Sequence, residues 1–186
     1  MKTTKARSFV MALAVLVMCL CCTASLKAQK AAELDRKVDE ALPKLYASSP
    51  AAKNLSTAAK GILIFPSVKK AGFIVGGQYG EGALRRAGRT AGYYKTTAGS
   101  FGLQAGGQKF GYAMFFMTEG ALDYLKSSKG WEVGVGPSIV VVDEGVARSL
   151  TTSTAKESIY VFFFGQKGLM GGLGIQGSKI TEIHPK

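Results

Sequence analysis

The stretch Gly61–Arg86, GILIFPSVKKAGFIVGGQYGEGALRR, predicts the organisation of the fold. Its apolar residues Ile62–Phe65 are typical of a buried strand, which we expect to end at Pro66 because proline has no N–H to donate to a sheet. Lys69 and Lys70 then form a predicted basic turn, and a second strand rich in glycine follows. The stretch therefore predicts cationic groups held on tight backbone between two strands, which suits the binding of an anion better than catalysis.

The N-terminal residues have the organisation of a secretory signal peptide. Three basic residues precede an apolar run, Phe9–Cys22, and small residues follow it. The run is shorter than the roughly 20 apolar residues that span a bilayer as a helix. The sequence therefore predicts a signal peptide over residues 1–28 and a single mature domain over residues 29–186. We expect the protein to be exported, and to be periplasmic or secreted.

All three cysteines lie inside the predicted signal peptide, at Cys19, Cys21 and Cys22. The mature chain would then have no thiol for a disulfide or a thiolate metal site. Lipid modification of Cys19 would instead anchor the protein to the cell envelope, and the sequence leaves this alternative open.

The chain carries a clear excess of positive charge. Its formal net charge is +12, from 24 basic and 12 acidic residues. Residues 1–28 contain four of the basic residues and none of the acidic ones, so the mature chain retains a charge of +8. This excess favours anionic partners. For an exported protein we expect anionic lipids or a membrane surface, and no nucleic acid.

Three helices are predicted from apolar spacing and capping residues. The first covers Lys30–Tyr46, with Pro43 expected to kink it or to end its regular part. The second begins after Ser49 and ends at Gly61. The third begins at Thr118 and ends at Gly130, and the polar segment Asp143–Glu157 is predicted to be a long exposed loop.

Most other segments alternate as strands do, with glycine at every second or third position. Glycine weakens a strand unless the backbone must bend sharply, as it does in a small barrel. Further strands are predicted at Trp131–Val142, Ile159–Phe164 and Lys179–Ile183, and a glycine-rich hairpin at Gly165–Gly177. The sequence therefore predicts an α+β, mainly β fold: a small closed or nearly closed antiparallel β-barrel core with about three helices on its surface and mobile loops.

Motifs that suggest catalysis lack the context that the chemistry needs. Gly172–Gly177 matches the GxGxxG pattern, but too few residues follow for the helix that would hold a pyrophosphate. Ser100 and His184 would suit a serine hydrolase only if the C-terminal histidine were held in place. A single histidine and no mature cysteine argue against a transition-metal site. We expect no enzyme activity, no cofactor and no metal.

The remaining candidates are the basic residues near predicted turns. Arginine suits phosphate particularly well, because its guanidinium group can donate two parallel hydrogen bonds. The predicted binding residues for a lipid head group are Lys69, Lys70, Arg85, Arg86, Arg89 and Lys95.

Several long runs resemble the SYLF domain family. They include AAKGILIFPSVKKAGFIVGGQYGEGAL, YYKTTAGSFGLQAGGQKFGYAMFFMTEGALDYL and GWEVGVGPSIVVVDEG. The resemblance implies a lipid-binding domain with affinity for phosphoinositides, built on a β-barrel core with packed helices. It implies here an exported, non-enzymatic binder of anionic phospholipid or phosphoinositide head groups, for which we expect no actin partner. An envelope scaffold, a small outer-membrane barrel and a serine hydrolase stay open as alternatives.

Overall fold

The computed structural model describes residues 28–128, 130–168, 175 and 177–185. The chain divides into two compact units, Met1–Glu33 with Pro185–Lys186, and Leu34–His184. The larger unit contains all the strands of the described residues. Among the described residues, no helix is both long enough and apolar enough to cross a membrane. The predicted signal peptide and most of the predicted hairpin Gly165–Gly177 lie outside the described residues.

The described residues contain four helices, one more than the sequence predicts. Helix α1 covers residues 28–48, so Pro43 does not end it. Ser49 and Thr118 are N-caps as predicted, because their hydroxyls accept hydrogen bonds from the N–H groups of Ala52 and Ala121. The remaining helices are α2 (Pro50–Ser56), α3 (Glu119–Ser127) and α4 (Glu144–Ser149).

Two helix boundaries and one loop differ from the predictions. Helix α2 ends at Ser56, with Thr57 as its C-cap, and Gly61 is instead the first residue of a strand. Helix α3 ends at Ser127, with Ser128 as its C-cap, before the predicted terminator Gly130. Helix α4 lies within the predicted loop Asp143–Glu157. It forms because the Asp143 carboxylate caps it by accepting the N–H of Val146 at 2.8 Å.

In the part of the chain that the structure describes, six strands form one sheet, in the order β3-β6-β2-β5-β4 with β1 paired to β2. Pairing is antiparallel except between β4 and β5, which are parallel. The long strands β1 and β2 form a hairpin, and each contributes two segments to the sheet, so the curled sheet has eight segments. The strands are β1 (Gly61–Arg86), β2 (Arg89–Phe116), β3 (Trp131–Glu132), β4 (Ile139–Val141), β5 (Ile159–Gly168) and β6 (Lys179–Ile183).

Strand β1 continues through the position where the sequence predicts a turn. Pro66 and Ser67 lie at an irregularity of the pairing with β2, between the partners of Phe65 and Val68. A proline is tolerated at such a bulge because no ladder hydrogen bond requires its N–H. Lys69 and Lys70 are therefore strand residues, and the predicted basic turn is wrong.

The sheet curls because β1 doubles back on itself. A Cβ at Gly82 would lie 2.2 Å from the carbonyl oxygen of Ile64, and one at Gly80 would lie 2.7 Å from Cγ2 of Val68. These distances are far below van der Waals contact, so only glycine lets the two halves of β1 approach so closely. The result is a half-barrel with helices packed on it, which confirms the predicted mainly β architecture.

The two faces of the sheet have separate apolar clusters. The inner cluster combines side chains from both halves of the curl, among them Phe65, Leu84 and Trp131, and α3 packs against it. The outer cluster is covered by α1 and α2, which bury side chains such as Val38 and Leu55 against outward-facing strand residues. The helices cover part of the outer face. The candidate site lies on another part of that face, where the strand side chains are exposed.

Candidate anion-binding surface

Three lysines lie opposite one another on three neighbouring strands. Lys69 of β1 pairs with Lys109 of β2, and Lys109 pairs in turn with Lys167 of β5. All three are exposed. Directly paired residues point to the same face, and adjacent strands are about 4.8 Å apart. Lys69, Lys109 and Lys167 therefore form a continuous band of positive charge across the outer face, which we call the lysine row.

The first bulge brings Lys69 into this row. Between the pairs Phe65 with Tyr112 and Val68 with Phe110, β1 has one residue more than β2. If the same residues of β1 paired with β2 without a bulge, Val68 would stand opposite Lys109, and Lys69 would point to the inner face. The bulge at Pro66–Ser67 therefore changes which side chain faces outward.

The second bulge acts in the same way on β5. Between the pairs Gly111 with Phe164 and Lys109 with Lys167, β5 has one extra residue. Gly165 adopts a φ of 60° there, in the left-handed region that this kind of bulge requires. A regular ladder would place Gln166 opposite Lys109. Bulges commonly re-aim side chains beside functional sites, and here two of them converge on one lysine.

The lysine row is not neutralised by neighbouring acids. Like charges placed directly opposite each other destabilise a sheet. Within the part of the chain that the structure describes, none of the three lysines forms an ion pair. Lys179, by contrast, has an acidic residue, Glu132, directly opposite it in the strand register. The row is thus an unfavourable arrangement for the isolated protein, and an anion would relieve it.

Two other predicted binding residues lie apart from the row. Lys70 follows Lys69 on the strand and so points to the opposite, inner face, where its partner is Gln108. Lys95 is paired with Glu81 of β1 and with Thr181 of β6. The structure therefore brings neither of them together with Lys69.

Arg85 is already occupied by acidic partners. One of its terminal nitrogens donates to Asp39 at 2.6 Å, and the other lies 3.4 Å from the Asp35 carboxylate. Thr90 and Tyr93 also donate to Asp35, at 2.7 and 2.8 Å. The Arg85 side chain is only 13% exposed. This network ties α1 to the β1–β2 turn, so it has a clear structural role.

Arg86 and Arg89 lie at the same turn as Arg85. Arg86 donates to Glu119 of α3 at 2.8 Å, and both side chains of this pair are nearly half exposed. Arg89 is exposed and stands directly opposite Arg86. The turn lies beside Gly61, because Arg85 and Gly61 line the same cleft. Lys69 is eight residues after Gly61 in β1, which corresponds to about 25 Å of extended chain. The arginine turn and the lysine row are therefore separate surfaces.

The inner face contains several buried polar groups. In the described residues, Nε2 of Gln78 and Oε1 of Gln108 have no hydrogen-bond partner. Burial raises the pKa of Tyr112 above its ordinary value, although the hydroxyl of Thr96 acts in the opposite direction. Burial also raises the pKa of Tyr94, to about 12, with a smaller contribution from Glu182. These tyrosines stay neutral at physiological pH, so they supply no charge for acid–base chemistry.

The catalytic alternatives gain no support from the described residues. His184 is exposed near the C-terminus. The side chain of Ser100 and most of Gly172–Gly177 lie outside what the structure describes. Among the described residues, no group of three or more acidic, histidine or cysteine side chains could hold a metal ion.

Lys109 and Lys167 were missed by reasoning from the sequence. Each follows a glutamine in a run of otherwise apolar and glycine residues, so neither belongs to a charge cluster in the chain. Their proximity depends on strand pairing and on two bulges, whose positions local sequence does not specify. The dipeptides Pro66–Ser67 and Gly165–Gln166 were the available signals, because proline and glycine inside strands often mark bulges.

Comparison with known proteins finds a family model that matches part of the chain. Residues 97–185 match the sequence model of the family described as Ysc84, Las17-binding protein actin regulator. Among curated proteins, none matches the chain. The matched segment begins within β2 and includes α3 and all the later strands, so it contains Lys109 and Lys167 but not Lys69. The match confirms the resemblance to the SYLF (Ysc84) domain family, and residues 97–185 are the part of the chain over which the family model matches.

Proposed function

We propose that this protein is exported and binds anionic phospholipid head groups, including phosphoinositides, without catalysing a reaction. The lysine row is the observation that carries the proposal, because three unneutralised cations on one face offer a phosphate or a charged membrane surface several contacts at once. The association of SYLF domains with lipid binding supports it. The family description also names an actin regulator, but the predicted signal peptide separates this chain from actin, and we do not extend that role to it.

Binding through charge alone should be weak. Each basic residue near an anionic membrane contributes about 1 kcal/mol. Three of them supply about 3 kcal/mol, which is less than the roughly 4 kcal/mol of a millimolar complex. The interaction should therefore weaken as salt rises, since surface charges more than about 8 Å apart are largely screened at physiological ionic strength.

Co-sedimentation with vesicles tests the proposal. The protein should sediment with vesicles that contain phosphatidylglycerol at low salt, and not with pure phosphatidylcholine vesicles. Replacing Lys69, Lys109 and Lys167 together by glutamine should abolish the difference. A matched variant loses the same three charges elsewhere on the surface, with Lys126, Lys156 and Lys179 replaced by glutamine. It should retain most of the binding. Equal sedimentation with both lipids would contradict the proposal.

A second variant distinguishes the two basic surfaces. Replacement of Arg85, Arg86 and Arg89 by glutamate reverses the charge of the turn and leaves the lysine row intact. Because Arg85 is held by Asp35 and Asp39, this variant should lose stability. Its binding per folded molecule should change less than that of the lysine variant. If the folded arginine variant alone lost lipid binding, the binding site would be the arginine turn and not the lysine row.

A further inference from the structure

A groove opens on the outer face of the sheet beside the lysine row. Its volume is about 590 Å³, within the range of about 300–1,000 Å³ that is usual for small-molecule sites. Strand β5 forms its floor, α4 and the end of β4 form one side, and the α1–α2 connection forms the other. Its lining includes the side chains of Phe162, Phe164, Val142, Ala147 and Asp143.

The groove is continuous with the lysine row. Phe164 lies across Gly111, where a Cβ would come within 2.4 Å of the phenylalanine ring. The next outward-facing residue on β2 after Gly111 is Lys109. On β5, Gly165 and Gln166 line the end of the groove, and Lys167 follows them directly. One end of an apolar channel thus opens at the bulge that positions Lys167.

The chemistry of the groove differs between its two ends. Among the described residues that line the groove, Asp143 alone is charged, and its carboxylate is engaged in capping α4. The opposite end meets the three cations of the lysine row. An amphiphile with an anionic head and an apolar tail would therefore have one preferred orientation, with its head at the lysines and its tail away from them.

We propose that the groove binds an acyl chain of an anionic phospholipid whose phosphate contacts the lysine row. The inference rests on the proposed function. It extends that function from attraction to a charged surface to the binding of one lipid molecule. Phosphate contacts alone leave the apolar channel unexplained. Apolar area removed from water adds the affinity that three exposed lysines lack.

Calorimetric titration with soluble probes tests this inference. The probes are glycerol 3-phosphate and phosphatidylglycerols with six-carbon or eight-carbon acyl chains, all kept below their micelle concentrations. Affinity should rise along the series, by up to about fourfold for each methylene that enters the groove. The chain-length series uses the wild-type protein, so it does not depend on any variant folding.

Two variants locate the chain. Ala147→Trp places an indole in the groove and should reduce binding of the eight-carbon lipid at least tenfold, with little change for glycerol 3-phosphate. Ala91→Trp adds the same ring at an exposed position of β2 away from the groove, and should bind as the wild type does. An unchanged affinity for the eight-carbon lipid in a folded Ala147→Trp protein would overturn the inference.

Failure of the inference is distinguishable from failure of the proposed function. Equal affinity for glycerol 3-phosphate and for both lipids would show that the groove binds no acyl chain. Salt-sensitive sedimentation with anionic vesicles would still be observed in that case, and the proposed function would stand. Binding of neutral dioctanoylglycerol as tight as that of the anionic lipid would also overturn the inference, because the lysine row would then contribute nothing. Loss of the vesicle interaction itself would refute the proposed function.

Discussion

Replacement of Lys109 by glutamine should weaken lipid binding and stabilise the protein at the same time. Lys109 is the central member of the lysine row, with Lys69 on one side and Lys167 on the other. Glutamine keeps a polar side chain of similar reach but removes the charge. A residue that is retained only for structure would show the opposite sign in stability, so the two measurements together separate a binding role from a structural one.

The magnitudes follow from the geometry of the row. Removal of one cation from the membrane-facing surface should cost about 1 kcal/mol of binding, or roughly fivefold in affinity. The same change removes two like-charge contacts across the sheet, each worth about 0.2–1 kcal/mol. Because these side chains are exposed and screened, we expect a gain of about 0.5–1 kcal/mol in the free energy of unfolding at low salt.

Urea unfolding and vesicle sedimentation, each at low and high salt, provide the two readouts. Lys179→Gln is the matched control, because it removes the same charge from a lysine that stands opposite Glu132. The control should lose a few tenths of a kcal/mol in stability and little in binding. If Lys109→Gln destabilised the protein and bound lipid as the wild type does, the lysine row would have no part in binding.

Other predictions concern the fold that presents the row. Ala87 and Gly88 both have positive φ at the β1–β2 turn, 48° and 74°, so Ala87→Asn should add about 0.5–1 kcal/mol to the free energy of urea unfolding; a loss of stability would contradict this reading of the turn. Gly82→Ala should lower the free energy of unfolding by about 3 kcal/mol or more, since its Cβ would overlap the Ile64 carbonyl. Gly99→Ala is the control, because nothing lies within 4 Å of its Cβ, and it should change the free energy of unfolding by less than about 0.5 kcal/mol. Similar values for both variants would be inconsistent with the doubling of β1. The raised pKa of Tyr112 means that the folded state keeps its proton above pH 10 while the unfolded state loses it, so this residue's contribution to stability should be constant up to about pH 9 and fall from pH 10 upward, by at most about 1.4 kcal/mol per pH unit. Tyr94, whose pKa is also raised, adds to the decline, so Tyr112→Phe should make it less steep without removing it.

Structural features that depend on a few neighbouring residues were predicted correctly from the sequence. Strand Lys179–Ile183 and the N-caps Ser49 and Thr118 are found where local patterns place them. Each depends on alternation over five residues or on one hydroxyl beside the first turn of a helix. The mainly β architecture was also predicted correctly, because glycine at every second or third position of a strand is a local signal that the strand bends.

Features that depend on pairing were missed. Pro66 was expected to end a strand, but its missing N–H does no harm in a bulge, and β1 continues for another twenty residues. Arg85 was expected to face an anionic ligand, yet Asp35 and Asp39 approach it from α1, some fifty positions earlier in the chain. Whether the six predicted head-group residues bind lipid stays a prediction.

The two bulges beside Lys109 have a consequence for comparing this chain with its relatives. Each is an extra residue in one strand, so a relative that lacks it would still have recognisable strands and a recognisable hydropathy pattern. Past the missing residue, that strand keeps its register and its side chains keep their faces, because the bulge takes one residue out of the alternation. A lysine aligned with Lys69 or Lys167 would then still point outward. It would point into the half-barrel only in a relative that has the same number of residues but pairs them without a bulge. Equivalent lysines in related proteins must therefore be assigned by counting strand partners, and a one-residue gap at Pro66–Ser67 or Gly165–Gln166 marks a protein that presents the charged band on a regular ladder.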